Sequence, residues 1–401
     1  MLSQVKAIIN KFQRRIHVQK MQWTFCFERG APQKVNHAAV AVENKIYSFG
    51  GYCSDQILPV FIDVYCFNTS TLKWTRVNYE ETSESPKGCY GHSVVAYKHL
   101  IYLWGGQNRF SASNILYCFD TKTQSWSKPV TSGMIPKPTD GHSACVIRDD
   151  MYIFGGYEEG FDNFSQKTYK LNLITFTWQE LNTSGALPSE RDFHTASAFG
   201  NRMYIFGGRS FENLHDYYPN DIVYLDVDTL MWIKPVCSSA NPCGRRSHSA
   251  IVYNGEIYIF GGYDGKQEKH MNDVHKYNPV TSVWTELKFL GTPPSPRRRH
   301  CSIIVDDLLY LFGGSSPTYI IDGGVESNSL KEHCDLYILE FSPSLKMLSQ
   351  LKIMEYHIDT RFLPVRLRDE IDYLISLKLH AFETTAVMHE RRDYTAFGPN
   401  L

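Results

Sequence analysis

The stretch GRRSHSAIVYNGEIYIFGG, residues 244–262, decides the fold. It holds an arginine pair, a histidine, two apolar runs split by Asn254-Gly255, and a glycine pair. Valine, isoleucine and tyrosine alternating on both sides of Asn-Gly predict a β-hairpin. The same arrangement returns along the chain. Glycine pairs begin at Gly50, Gly105, Gly155, Gly207, Gly261 and Gly313, at spacings of 55, 50, 52, 54 and 52 residues. Thirteen residues before each stands a histidine: His37, His92, His142, His194, His248 and His300. An offset kept in six copies marks a repeat architecture.

Beyond each glycine pair the sequence offers a variable loop and a third strand, such as NDVHKYN at 272–278. A tryptophan-bearing fourth strand follows, such as SVWTEL at 282–287. Four antiparallel strands in about 50 residues form one blade of a β-propeller. The tryptophans Trp74, Trp126, Trp178, Trp232 and Trp284 fall 16 or 18 residues before the next histidine, and Trp23 falls 14 before His37. QWTFCFE, at 22–28, therefore reads as a fourth strand without its first three. It completes the last blade, where the late position holds Leu348 instead of tryptophan. A closed ring leaves no unpaired edge. The expected fold is all-β: a six-bladed propeller over residues 21–343, closed by the N-terminal strand.

The first twenty residues carry five Lys or Arg and no acid. That composition suits a mitochondrial transit helix. We favour a basic extension instead, because residues from Met21 are used at once by the fold. From 344 the glycines and turns disappear. Leu345, Leu348 and Leu351 suit one helix face, and LPVRLRDEIDYLISLKL, 363–379, opens on a proline tolerated in a first helical turn. A helical segment is expected at 344–379, with a tail at 380–401.

Composition narrows the function. The net charge of −1 gives no global reason for nucleic-acid or membrane binding. No run approaches the ~18 apolar residues of a spanning helix. The ten cysteines are dispersed, without C-x-x-C, as expected of reduced thiols rather than a zinc site. One histidine per blade at a fixed place is expected to hydrogen-bond within or between blades, since rotation about the ring keeps the copies apart. No G-x-S-x-G, P-loop or H-E-x-x-H is present. No enzyme chemistry, metal or cofactor is expected.

Residues just before each histidine and just after each glycine pair must share one face of the disc. Those positions hold nine basic residues, Lys34, Arg109, Arg191, Arg209, Arg245, Arg246, Arg297, Arg298 and Arg299. They hold five acidic ones, Asp140, Glu158, Glu159, Asp192 and Asp264. Aromatics accompany them, including Tyr52, Tyr90, Tyr157, Phe193 and Tyr263. Guanidinium forks match carboxylate or phosphate oxygens, and aromatics pack on a backbone, so a peptide's terminal carboxylate suits this face. About half of the nine basic residues are expected to be structural or merely exposed.

The glycine pairs, the apolar strand before them and the downstream tryptophan resemble kelch repeats over roughly 21–340. A nearer resemblance rests on NHAAVAVENKIYSFGGYCS (36–54), DGHSACV (140–146), RDFHTAS (191–197), RRSHSA (245–250), PRRRHC (296–301) and DLYILEFSPSLKMLSQL (335–351). These are similar to the kelch-repeat substrate receptors of cullin-2 RING ubiquitin ligases. The resemblance implies a non-enzymatic subunit that binds the C-terminal ends of proteins, ending in glycine with arginine, lysine or glutamine nearby. Carried over residue by residue, the carboxylate falls to Arg209, Arg246 and Ser247. A second arginine usual beyond the glycine pair is missing, since Ser210, Phe211, Glu212 and Asn213 follow Arg209, so Arg191 or Arg245 substitutes. Ser344, Leu345, Ser349 and Ile353 fit the helix that binds elongin B and elongin C, with Ser349 where cysteine is usual. Leu363-Pro364 match the element that selects cullin-2. The implied compartment is the cytoplasm, with the nucleus as a further one. The competing reading is a kelch scaffold for chromatin or cytoskeletal proteins.

Overall fold

The computed structural model describes residues 21–26, 31–158, 160, 163–212, 215–322, 325–342, 349–350, 353–354, 358–372 and 375. Six sheets stand in sequence order around one axis, antiparallel except for the short outer strands Ser132–Gly133 and Ser184–Gly185, which pair parallel. Blade one runs Ala38–Val42, Lys45–Phe49, Val64–Asn68 and Lys73–Arg76, from the channel outwards. Blade five, which contains the opening stretch, runs Ser249–Tyr253, Glu256–Asp264, Lys269–Asn278 and Val283–Leu287. Its first turn has φ of 47° at Asn254 and 75° at Gly255. That left-handed pair is the reason Asn-Gly sits there.

Blade six takes Cys301–Val305, Leu308–Phe312 and Leu336–Glu340 from one end of the chain and Gln22–Cys26 from the other. Trp23 lies opposite Leu339 in the antiparallel register. The loop of blade five clips this strand down, Trp23 N–H donating to the Leu290 carbonyl at 3.0 Å. The sixfold pattern explains why Trp23 belongs there. Each blade's tryptophan packs on the aromatic residue just before the preceding blade's glycine pair: Trp126 on Phe49, Trp178 on Trp104, Trp232 on Phe154, Trp284 on Phe206 and Trp74 on Phe312. Trp23 occupies the same place against Phe260, with ring centroids 6.3 Å apart. These contacts, with the β-branched residues around them, make the dry seams between blades.

The fixed offset of thirteen has a steric cause. A Cβ on Gly155 would lie 2.8 Å from Cε1 of His194 in the next blade and 2.7 Å from the Arg191 carbonyl oxygen. A Cβ on Gly156 would lie 2.9 Å from the Cβ of His142 in its own blade. The pair is thus pinched between two histidines, and both glycines have positive φ. The histidines are themselves bonded across the seams. Ser93 Oγ meets His142 Nε2 at 2.7 Å, Ser143 meets His194 at 2.7 Å, Thr195 meets His248 at 2.9 Å and Ser249 meets His300 at 2.8 Å. In each case the residue after one histidine serves the next. Ala38 and Cys301 break the series, and Nε2 of both His92 and His37 is buried without a partner.

The loops after the glycine pairs are hairpins in blades three to six. The longest pairs Ser315–Asp322 with Val325–Glu332. Glu332 anchors its base to blade one, accepting from the Ser54 hydroxyl at 2.6 Å. After the propeller the described helical residues are 349–350, 353–354, 365–372 and 375. Pro364 opens the helix, its carbonyl accepting from the N–H groups of Leu367 and Arg368 at 3.0 Å each.

Candidate functional site at the propeller mouth

The three residues before each blade histidine have three separate duties. Three places before it, the side chain turns into the blade. Arg191, Arg245 and Arg297 donate from Nη1 to the carbonyls of Gly207, Gly261 and Gly313 at 3.0, 3.0 and 3.2 Å. Arg245 and Arg297 also form two-pronged pairs with Asp273 and Asp335. Lys34 plays the related part in blade one, bonded to Asp63 at 3.1 Å. These four are structural, in line with the expected half of the nine.

Two places before the histidine, the backbone bridges to the residue after the glycine pair, as in Asp192 with Arg209, Arg246 with Tyr263 and Arg298 with Ser315. One place before it, φ is positive in every blade: 55° at Asn36, 69° at Gly91, 65° at Gly141, 50° at Phe193, 55° at Ser247 and 61° at Arg299. These six residues join in a closed ring of backbone hydrogen bonds. Gly91 N–H donates to Asn36, Gly141 to Gly91, Phe193 to Gly141, Ser247 to Phe193, Arg299 to Ser247, and Asn36 to Arg299. The four side-chain-bearing members other than glycine are held where L-residues are strained.

Above this girdle lies a cavity of about 710 Å³. Its charged lining is Arg109, Arg209, Arg246 and Arg299 against Asp140 and Asp192. Tyr52, Tyr90, Tyr157 and Phe193 supply flat apolar walls, and Asn36 and Gln107 supply amides. The cations differ in their state. Arg209 is already held by Asp192, from Nε at 3.2 Å and Nη2 at 2.6 Å. Burial pushes the Asp192 carboxyl above its ordinary value even against that pull. Arg299 donates from Nη1 to the Tyr52 hydroxyl at 2.7 Å, and Nε of Arg246 and of Arg299 is buried without a partner. Burial, with Arg246 and Arg209 nearby, pushes Arg299 below its usual value. A ligand carboxylate entering here meets fixed donors at low hydration, which is where charge-assisted bonds are strongest.

Of the residues expected to hold a peptide end, Arg209 and Arg246 line the cavity. Ser247 sits in the girdle between Phe193 and Arg299, its hydroxyl buried and unpaired. Arg191 and Arg245 do not face the ligand space. They are 1% and 0% exposed and engaged by glycine carbonyls, so the expectation that either substitutes for a missing arginine is corrected. Arg299 lines the cavity wall instead. The signal was present in the sequence. Arginine three places before the histidine recurs in blades four, five and six, and recurrence marks structure. Arg299 breaks the pattern of its position, and departures from a repeat mark a site.

All six blade histidines are buried at the seams, four of them hydrogen-bonded across to the next blade. Among the described residues no three His, Cys, Asp or Glu converge as metal ligands. In the tail, Ser349 is exposed and Ile353 half-buried, both helical. Leu363 is half-buried and Pro364 exposed. Ser344 and Leu345 lie outside the described residues, as do Leu348, residues 1–20 and residues 376–401. Beside Leu363-Pro364, Phe362 is 89% and Val365 is 65% exposed.

Comparison with known proteins fits this architecture. The domain described as KLHDC2/KLHL20/DRC7 Kelch-repeats matches residues 91–314, and the Kelch motif matches residues 34–79. Kelch domain-containing protein 3 of Homo sapiens is 43% identical over 366 residues, covering 88% of this chain and 95% of that protein. The Bos taurus protein of that name gives the same figures. Host cell factor 2 of Homo sapiens is 30% identical over 267 residues, 62% of this chain and 33% of its own length. These relatives point to a binding propeller rather than a catalyst. With its six kelch blades, and with that identity running through nearly the whole of both chains, this protein belongs to the Kelch domain-containing protein 3 family.

Proposed function

We propose that this propeller is the substrate-recognition subunit of a cullin-2 RING ubiquitin ligase, and that it captures the C-terminal end of its substrates in the mouth. The observation that carries the reading is the cavity itself: four arginines against two aspartates, one arginine already neutralised, and tyrosine walls around them. Such a space favours a free carboxylate on an extended backbone over a neutral or cationic group. A terminal glycine places no side chain between the carboxylate and the girdle, so the end seats deeply. A lysine, arginine or glutamine upstream would then face Asp140 on the opposite wall.

The tail supplies the other half of the proposal. Elongin B and elongin C dock on the segment that carries Ser349 and Ile353, and cullin-2 is selected next to Leu363-Pro364. The apolar side chains of Phe362 and Val365, presented to solvent there, support a protein-binding surface. The ligase chemistry belongs to the partners, and the work is done in the cytoplasm or nucleus.

The test is binding of a glycine-ended peptide in free-acid and amidated forms. Loss of one charge-assisted contact, about 2 kcal/mol, weakens the amide roughly thirtyfold. Arg246→Ala should abolish the difference. Equal affinity for the two forms overturns the proposal.

A further inference from the structure

Three arginines of the mouth, Arg246, Arg298 and Arg299, have no carboxylate partner among the described residues, and they stand together. The contrast on the same face is sharp. Lys34, Arg191, Arg209, Arg245 and Arg297 each face an aspartate within 4.0 Å. The guanidinium groups of Arg246 and Arg298 instead both lie over the ring of Tyr263, at 5.5 and 4.6 Å from its centroid. His270 faces Tyr263 across the blade-five hairpin, and the two rings are 4.8 Å apart. Nε of all three arginines and Nε2 of His270 are buried without a hydrogen-bond partner.

Such a cluster repels itself. Burial, then Arg299 and Arg246, push Arg298 down to about 10. Burial, then the three arginines, push His270 down to about 4, so its imidazole is neutral and has an N–H to donate. The aromatic ring offsets part of the repulsion, and an incoming anion removes the rest.

One carboxylate does not use all of these donors. Arg246 and Arg299 line the central cavity, whereas Arg298, Tyr263 and His270 stand outside its lining, on the rim of blades five and six. We propose that Arg298, Tyr263 and His270, with Arg246 shared between the two places, form a second anion subsite that takes an acidic group carried by the ligand shortly before its C-terminal carboxylate. The group is a carboxylate side chain or a phosphate, which share the oxygen geometry that a guanidinium fork fits. This rests on the mouth being a peptide-end site, and it adds a doubly anionic substrate class to that reading.

The experiment measures fluorescence anisotropy of the full chain with glycine-ended peptides that differ at one of the three preceding positions. Glu, phosphoserine or Gln is placed there, and each peptide is also made as the C-terminal amide. At one position Glu should bind about tenfold more tightly than Gln, and the gain should shrink with added salt. A gain with phosphoserine but none with Glu would assign the rim to phosphate. In Arg298→Gln the Glu peptide should lose about tenfold more affinity than the Gln peptide. Should that variant fail to fold, the wild-type peptide series decides alone. Equal binding of Glu, phosphoserine and Gln at all three positions, with the free acid still preferred over the amide, overturns the second subsite and leaves the peptide-end reading intact. Loss of the preference for free acid over amide overturns both.

Discussion

Placing a hydroxyl at residue 38 should stabilise the propeller. Four of the six seams carry a Ser or Thr bonded to the next blade's histidine, at 2.7–2.9 Å. Between blades one and two the corresponding residue is Ala38, and Nε2 of His92 is buried and unpaired. The local geometry matches its counterparts. The Cβ position of Gly50 lies 3.0 Å from Cε1 of His92, and that of Gly261 lies 3.2 Å from Cε1 of His300 in a bonded seam. In Ala38→Ser the new hydroxyl satisfies the ring nitrogen, and about 1–2 kcal/mol is expected from the bond and the relief of an unmet buried group. With a urea m-value of about 3 kcal/mol/M, the midpoint rises by roughly 0.3–0.7 M. Ser143→Ala is the mirror experiment, leaving Nε2 of His194 unpaired as that of His92 is, and its midpoint should fall by a similar amount. If Ala38→Ser lowers the midpoint, or if neither variant moves it, the seam bonds do not stabilise the ring.

Acid should weaken the fold steeply. Burial holds His37, His142 and His248 down at about 3 and His92 at about 4, with His194 and His300 also well below 6.5. The unfolded chain therefore binds more protons below pH 6.5. The histidine contribution is flat above that value and falls towards pH 3, by about 1.4 kcal/mol per pH unit for each histidine, as urea midpoints between about pH 3 and 8 will read. Arg245→Met should cost about 3 kcal/mol, because it strands the Gly261 carbonyl and leaves Asp273 with His275 as its remaining partner. Arg246→Ala should cost under 1 kcal/mol in stability while abolishing carboxylate-dependent binding. Gly155→Ala, with positive φ and two contacts under 3.0 Å, should cost more than 2 kcal/mol or prevent folding. Gly160→Ala, with nothing within 4 Å, should be neutral, and thermal melts separate the two.

The fold was legible because its signals are periodic. Six histidines, six glycine pairs and the displaced Trp23 are enough to fix blade number and closure. The rim hairpins were not legible as such, because sequences like SFENLHDY at 210–217 carry no pattern that separates a hairpin from a loop. The site was legible as a charge excess on one face, but not residue by residue. Arg191, Arg245 and Arg297 differ from Arg246, Arg298 and Arg299 by one or two places in sequence, which reverses the direction of the side chain. Only the left-handed residue before each histidine fixes that phase. The isolation of Arg298 was hidden for another reason, since ion pairing depends on which aspartates the third strands bring up, as Asp273 and Asp335 are for Arg245 and Arg297.

The strand that begins at Gln22 finds its partner in Glu340, so the ring is shut by a contact between residues some three hundred positions apart. On a ribosome this has a timetable. At about 5–20 residues per second the N-terminal strand waits roughly 20 s to a minute before its neighbour has been made. Until then Trp23 lacks its Phe260 and Leu339 surroundings, and the growing crescent of blades shows an open edge at each end. Nascent chains of this protein should thus be clients for holding factors up to the synthesis of the sixth blade, with the last joint sealing all six at once.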